Sequence, residues 1–106
     1  ALQRIGATML AGSDKTVAAA GTAERLVSAS THAFSITVRA KASNTGDVYV
    51  GESDVSNTQP GIAPGDSVSI VAPSIGGSQV QFELRELWVD VAIAGEGVDF
   101  WYQPAN

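Results

Sequence analysis

The stretch His32-Ala33-Phe34-Ser35-Ile36-Thr37-Val38-Arg39-Ala40-Lys41-Ala42 decides the fold. Phe34, Ile36, Val38, Ala40 and Ala42 fall on one parity; Ser35, Thr37, Arg39 and Lys41 fall on the other. Side chains of a strand alternate between its two faces, so this is a half-buried strand with a polar outer side. Ser43-Asn44-Thr45-Gly46 then supplies turn chemistry. Asp47-Val48-Tyr49-Val50-Gly51 reads as the return strand of a hairpin, with Val48 and Val50 inward and Tyr49 outward.

The same reading extends toward the C-terminus. Residues 52–62 form a polar loop, and Ala63-Pro64-Gly65-Asp66 has the Pro-Gly centre of a type II turn. Ser67 to Ala72 alternates with Val68 and Ile70 inward. Pro73 to Ser78 is a loop with Gly76-Gly77 at its tip, and Gln79 to Arg85 alternates with Val80, Phe82 and Leu84 inward. Leu87, Val89, Val91 and Ile93 have the opposite parity to Leu84, which predicts a bulge or short corner at Arg85-Glu86. A closing hairpin about Ala94-Gly95-Glu96-Gly97 sets Val91 against Phe100 and Asp90 against Trp101. Leu87, Val89, Val91, Ile93, Val98, Phe100 and Tyr102 then face the core.

Toward the N-terminus the pattern weakens. Thr16 to Leu26 is Ala-rich and has some helical propensity, but Gly21 and the β-branched Thr16, Val17 and Thr22 favour two short strands. Residues 1–12 alternate weakly. The expectation is one all-β domain, a β-sandwich or jelly roll of about seven or eight short antiparallel strands. Residues 1–14 would be an N-terminal arm or edge strand and residues 15–106 the sandwich.

Composition narrows function by exclusion. The chain has 106 residues, no Cys, one His and a formal charge of −5. Disulfides, Cys-containing zinc sites and thiol nucleophiles are ruled out, and the acidity argues against a nucleic-acid or anionic-membrane binder. The opening residues carry Arg4 early and no long apolar run, unlike a signal peptide. Residues 1–42 hold five Lys/Arg and two Asp/Glu, whereas residues 43–106 hold one and nine. Either the strands interleave and average this out, or the molecule has a basic and an acidic side.

Chemistry-bearing motifs are sparse. His32 is a lone imidazole with no nucleophile elbow in the chain. Asp47, Glu52 and Asp54, and Asp90, Glu96 and Asp99, lack calcium-loop spacing and read as solvated carboxylates. No catalytic residue, metal or cofactor is expected. The informative surface is the predicted outer face of the closing hairpin, with Trp88, Asp90 and Trp101. It reads as a second packed layer, a subunit interface anchored by tryptophan, or a sugar-stacking platform. Arg4 in the arm and the outward Tyr49 complete the candidate interface set.

Several stretches resemble small all-β virion proteins of tailed bacteriophages. They are Thr16-Val17 leading to Ala20-Gly21-Thr22-Ala23, Ser35 to Lys41, Asn44-Thr45-Gly46-Asp47-Val48-Tyr49-Val50-Gly51, Ala63 to Val68, Leu87 to Asp90 and Ala94 to Val98. The resemblance implies a non-enzymatic capsid decoration or cement protein, often trimeric, on the outer capsid surface after synthesis in the host cytoplasm. Its partners would be the major capsid protein and its own copies. A tail, collar or fibre-associated protein is the nearest alternative within that class. A carbohydrate- or receptor-binding module using Trp88 and Trp101 is the alternative outside it.

Overall fold

The computed structural model describes residues 11–56, 58–72, 74–75, 78–79 and 81–105. The strands are β1 (Ala11–Thr16), β2 (Glu24–Arg25), β3 (His32–Ala40), β4 (Val48–Gly51), β5 (Ser67–Val71), β6 (Ser74–Ile75), β7 (Ser78–Gln79), β8 (Phe82–Glu83), β9 (Trp88–Val91) and β10 (Gly97–Pro104). Four of these ten have only two residues, which is why the count exceeds the expected seven or eight. The larger sheet runs β1-β10-β3-β5, with β8 also on β3; the smaller runs β2-β9-β4; β6 and β7 pair separately. Every pairing is antiparallel. The fold is an all-β sandwich.

The core lies between the two sheets. Ile36, Val38, Ala40, Val98 and Phe100 contribute from the larger sheet; Val48, Val89 and Val91 contribute from the smaller; Val17, Leu26 and Leu84 close its ends. Val50, Ile70, Phe82, Leu87 and Tyr102 pack half-buried against it. The parity change after Leu84 is absorbed by a 3₁₀ turn at Leu84–Glu86, the predicted corner. Pro64 and Gly65 occupy the predicted turn, with Gly65 at φ 85° and Asp66 N–H donating to Ala63 O at 2.9 Å. Only glycine adopts that φ without strain.

Both predicted hairpins are overturned. β3 and β4 belong to different sheets, as do β9 and β10. Each link crosses from one layer to the other, and both crossings are tied at one knot. Asn44, buried, donates from Nδ2 to Gly97 O at 2.8 Å, and Lys41 N–H reaches the same oxygen at 3.1 Å. Glu96 accepts from Thr45 N–H at 2.8 Å, Gly46 N–H at 3.0 Å and the Thr45 hydroxyl at 3.0 Å. These donors, Thr45 N–H foremost, hold the Glu96 carboxyl below its ordinary range. Two facing strands of a sandwich bury the same parity as two paired strands, so alternation alone does not separate the cases.

Several inward assignments also change. Ile93 is 46% and Val68 40% exposed, and Ala42 is exposed. Phe34 is half-buried because β3 bulges there: Gln103 opposes Ser35, but Pro104 opposes Ala33. Ala33 takes the core position instead. The expected strand from Gln79 to Arg85 is broken into β7, β8 and the 3₁₀ turn. Val80 and the Gly76-Gly77 tip lie outside the described residues. Residues 16–26 hold the end of β1 and β2, not a helix. Among the described residues β1 is an edge strand of the larger sheet, and it runs across the expected division at 14/15.

Glu83 fixes the corner between β8 and the 3₁₀ turn. It accepts from the Ser30 hydroxyl, from Thr31 N–H at 2.6 Å and from Arg85 N–H at 3.1 Å. These bonds, in that order, pull its pKa down to about 2. A folded pKa below the unfolded value near 4.5 means the stabilisation is present above pH 4.5 and lost as pH falls toward 2. Glu83→Gln should therefore melt below the wild type at pH 7, with the gap closing by pH 2. Parallel thermal melts across that range check it; a gap independent of pH refutes it.

Candidate interaction surfaces

The structure distributes the predicted interface residues over separate places. Arg4 lies outside the described residues. Trp101 stands on the outer face of the larger sheet, whereas Trp88 belongs to the smaller sheet. The shared double-tryptophan face therefore does not form, because β9 and β10 do not pair. Tyr49 and Asp90 are brought together as direct cross-strand neighbours on β4 and β9.

That pair is covered rather than displayed. Tyr49, expected outward, is buried: a Cβ on Gly61 would meet its Cε1 at 2.9 Å, so the loop after Val55 lies against the ring. Asp90 is 0% exposed. Its Oδ1 accepts from Gly21 N–H at 2.9 Å and from Val91 N–H at 2.8 Å, while Oδ2 is buried with no protein partner. Asp90 thus tethers the Ala18–Thr22 loop to the small sheet across 69 positions of sequence. A single acidic residue between two core valines is the only signal of this that the sequence carries.

Trp101 is different. It is 37% exposed at the middle of β10. Its indole lies beside Gly12 on β1, where a Cβ would meet Cδ1 at 3.0 Å. Arg39 on β3 lies over the ring, its guanidinium carbon 5.5 Å from the centroid. Arg39 Nη2 also donates to Asp99 Oδ2 at 2.8 Å. Thr37 and Ser69 share a hydroxyl hydrogen bond at 2.9 Å, in the same cross-strand row as Trp101. The result is a broad four-stranded face with one aromatic anchor, one arginine and small hydroxylated neighbours.

A second surface is a groove of ≈ 760 Å³ between the β1 and β2 margins. Trp88, Phe100, Tyr102, Arg25 and the Lys15–Glu24 pair (2.8 Å) line it. Arg25 lies over the Trp88 ring at 4.8 Å. Phe100 and Tyr102 stack at 6.1 Å, though Phe100 itself is buried.

The uneven charge of the two halves is mixed by the topology. Arg39–Asp99 and Arg25–Glu86 join basic groups of the first half to carboxylates of the second. Lys41–Asp14, at 2.8 Å, closes within the first half. Among the described residues no three His, Asp or Glu converge as a metal-holding group. No family model, curated protein or solved structure matches the chain.

Proposed function

We propose that this protein is a non-enzymatic virion component of a tailed bacteriophage that decorates the capsid and bridges major capsid subunits. The observation that carries the reading is the Trp101–Arg39 pair on the open face of the larger sheet. Tryptophan and arginine are the residue types most enriched among binding hot spots, and a central aromatic ringed by small polar groups is the usual anatomy of one. The motifs that resemble virion proteins support it in a second way. Asn44-Thr45-Gly46 and Glu96-Gly97 bond to each other and hold the two sheets together. They brace the two layers against each other, and a shell cement would act through such a braced domain in many copies. Binding only to the assembled shell stabilises that shell by mass action.

The test is addition of purified protein to shells that lack it. The wild type should bind and raise the temperature at which shells disrupt. Trp101→Ala should weaken binding about 30-fold, the equivalent of about 2 kcal/mol, while its own β-sheet spectrum is unchanged. A Trp101→Ala protein that binds shells as the wild type does removes the anchor. The groove at Trp88 favours a second reading, a glycan- or receptor-binding module. Particles lacking the protein that resist heat and low salt normally yet fail to adsorb to cells would establish that reading instead.

A further inference from the structure

β5, Ser67-Val68-Ser69-Ile70-Val71, is the outermost strand of the larger sheet, and no described strand pairs with its outer side. Proteins guard such edges with charge, proline or a covering element, because unpaired N–H and C=O groups recruit other strands. The opposite edge, β1, is guarded: Asp14 and Lys15 sit on it, each in an ion pair. β5 has no charge and no proline. Val71 is 67% exposed and Val68 40%, among the most exposed large apolar residues described.

The ladder fixes which backbone groups are free. Ala40 N–H donates to Asp66 O at 2.9 Å at one end, and Ala72 N–H donates to Phe34 O at 2.8 Å at the other. Even-numbered residues therefore bond β3. In an antiparallel ladder the alternate residues, Ser67, Ser69 and Val71, turn their N–H and C=O away from it.

We infer that β5 is a self-association edge, at which a second copy of the chain pairs antiparallel about a twofold axis through Ser69. A twofold contact must complement itself, because each residue meets its own symmetry equivalent or a mirrored neighbour. The strand meets that condition. Ser69 opposes Ser69 of the second copy, and Ser67 opposes Val71. The three outward-facing residues all become hydrogen-bonded pairs. Val68 opposes Ile70 on the inner side, and these pairs cover apolar surface beside the ≈ 490 Å³ groove that Val50, Ile62, Val68 and Ile70 line. With no charged residue in the strand, no like charges meet across it. The larger sheets of the two copies join into one continuous sheet. The inference is argued from this edge and not from the shell reading, although the Ser69 side chain also lies in the Trp101 row of the outer face.

The experiment is sedimentation and light scattering of the isolated chain over a concentration series, with two variants. The wild type should be a monomer–dimer equilibrium. Ser69→Lys places two ammonium groups opposite each other on an exposed face, so it should weaken dimerisation at least about tenfold, while the monomer still folds and its melt falls only slightly with loss of the exposed Thr37–Ser69 bond. Ser69→Cys introduces the chain's only thiol, at a spacing of about 5.5 Å between Cα atoms in such a pair, within disulfide reach. It should form a cross-linked dimer under mild oxidation. A wild type that stays monomeric while Ser69→Cys fails to cross-link overturns the inference. A trimer whose stability Ser69→Lys leaves unchanged overturns it too. Shell binding is read on the wild type and Trp101→Ala, not on the Ser69 variants, because Ser69 shares the Trp101 row; the two readings then fail separately.

Discussion

Val89→Asp should leave the chain unable to fold. Val89 is fully buried on β9, the central strand of the smaller sheet, between Glu24 on β2 and Val50 on β4. The environment its side chain faces is apolar, made by Val48, Val91, Val98 and Phe100 among others. A carboxylate there loses its hydration and gains no partner, a cost on the order of the whole stability of a small domain. A domain of this size has about 5–15 kcal/mol in total, so the variant should be insoluble or molten, with no cooperative melt. Ile93→Asp is the informative control. Alternation groups Ile93 with Val89, but its exposure means that the same change should cost less than about 1 kcal/mol there. Thermal melts of both proteins decide the matter. A folded, cooperative Val89→Asp would mean that β9 is not buried as described.

The contrast between those two residues shows what the sequence could and could not tell. Alternation reports which side of a strand is apolar, and that held for Ile36, Val38, Val48, Val89, Val91, Val98 and Phe100. It does not report where a strand ends or which strand lies beside it. Ile93 keeps the parity of β9 but sits past its end, in the crossing to β10. Tyr49 keeps its outward parity, but a loop covers it, and no local pattern announces a loop that folds back. Asp90 was legible as an acidic residue in a strand. Its burial was not, since its tether is Gly21 N–H, far away in sequence. The phase slip at Arg85 was legible because it is a local break in a local pattern. The edge status of β5 was not, because a neutral strand reads alike at the centre and at the margin of a sheet. The hairpins failed for a related reason. Short turns rich in Gly and Asn join paired strands in one sheet, and here they join strands in opposite sheets.

The device that makes those crossings is where a second large effect is expected, at Gly97. Its φ is not positive, so the argument is one of space alone. Gly97 opens β10 opposite Thr16 of β1. A Cβ at this position would overlap the Lys15 carbonyl oxygen and stand 2.7 Å from Thr16 Cα. Both obstacles are backbone, so no rotamer change relieves them. The carbonyl of Gly97 meanwhile receives Asn44 Nδ2 and Lys41 N–H, which hold the residue from the other side. Gly97→Ala must therefore either push β1 off β10 or pull the Asn44 knot open. Overpacking of this kind costs about 3 kcal/mol, and losing the knot would add a buried, unsatisfied carbonyl. The melting temperature should fall by at least about 10 °C, with amide exchange accelerated first along β1. Asn44→Ala removes only the second constraint, so it should cost about 1–3 kcal/mol and leave β1 protected. If Gly97→Ala melts within about 2 °C of the wild type, the close approach of β1 and β10 at this point is wrong; the knot that ties the two sheets stands or falls with Asn44→Ala.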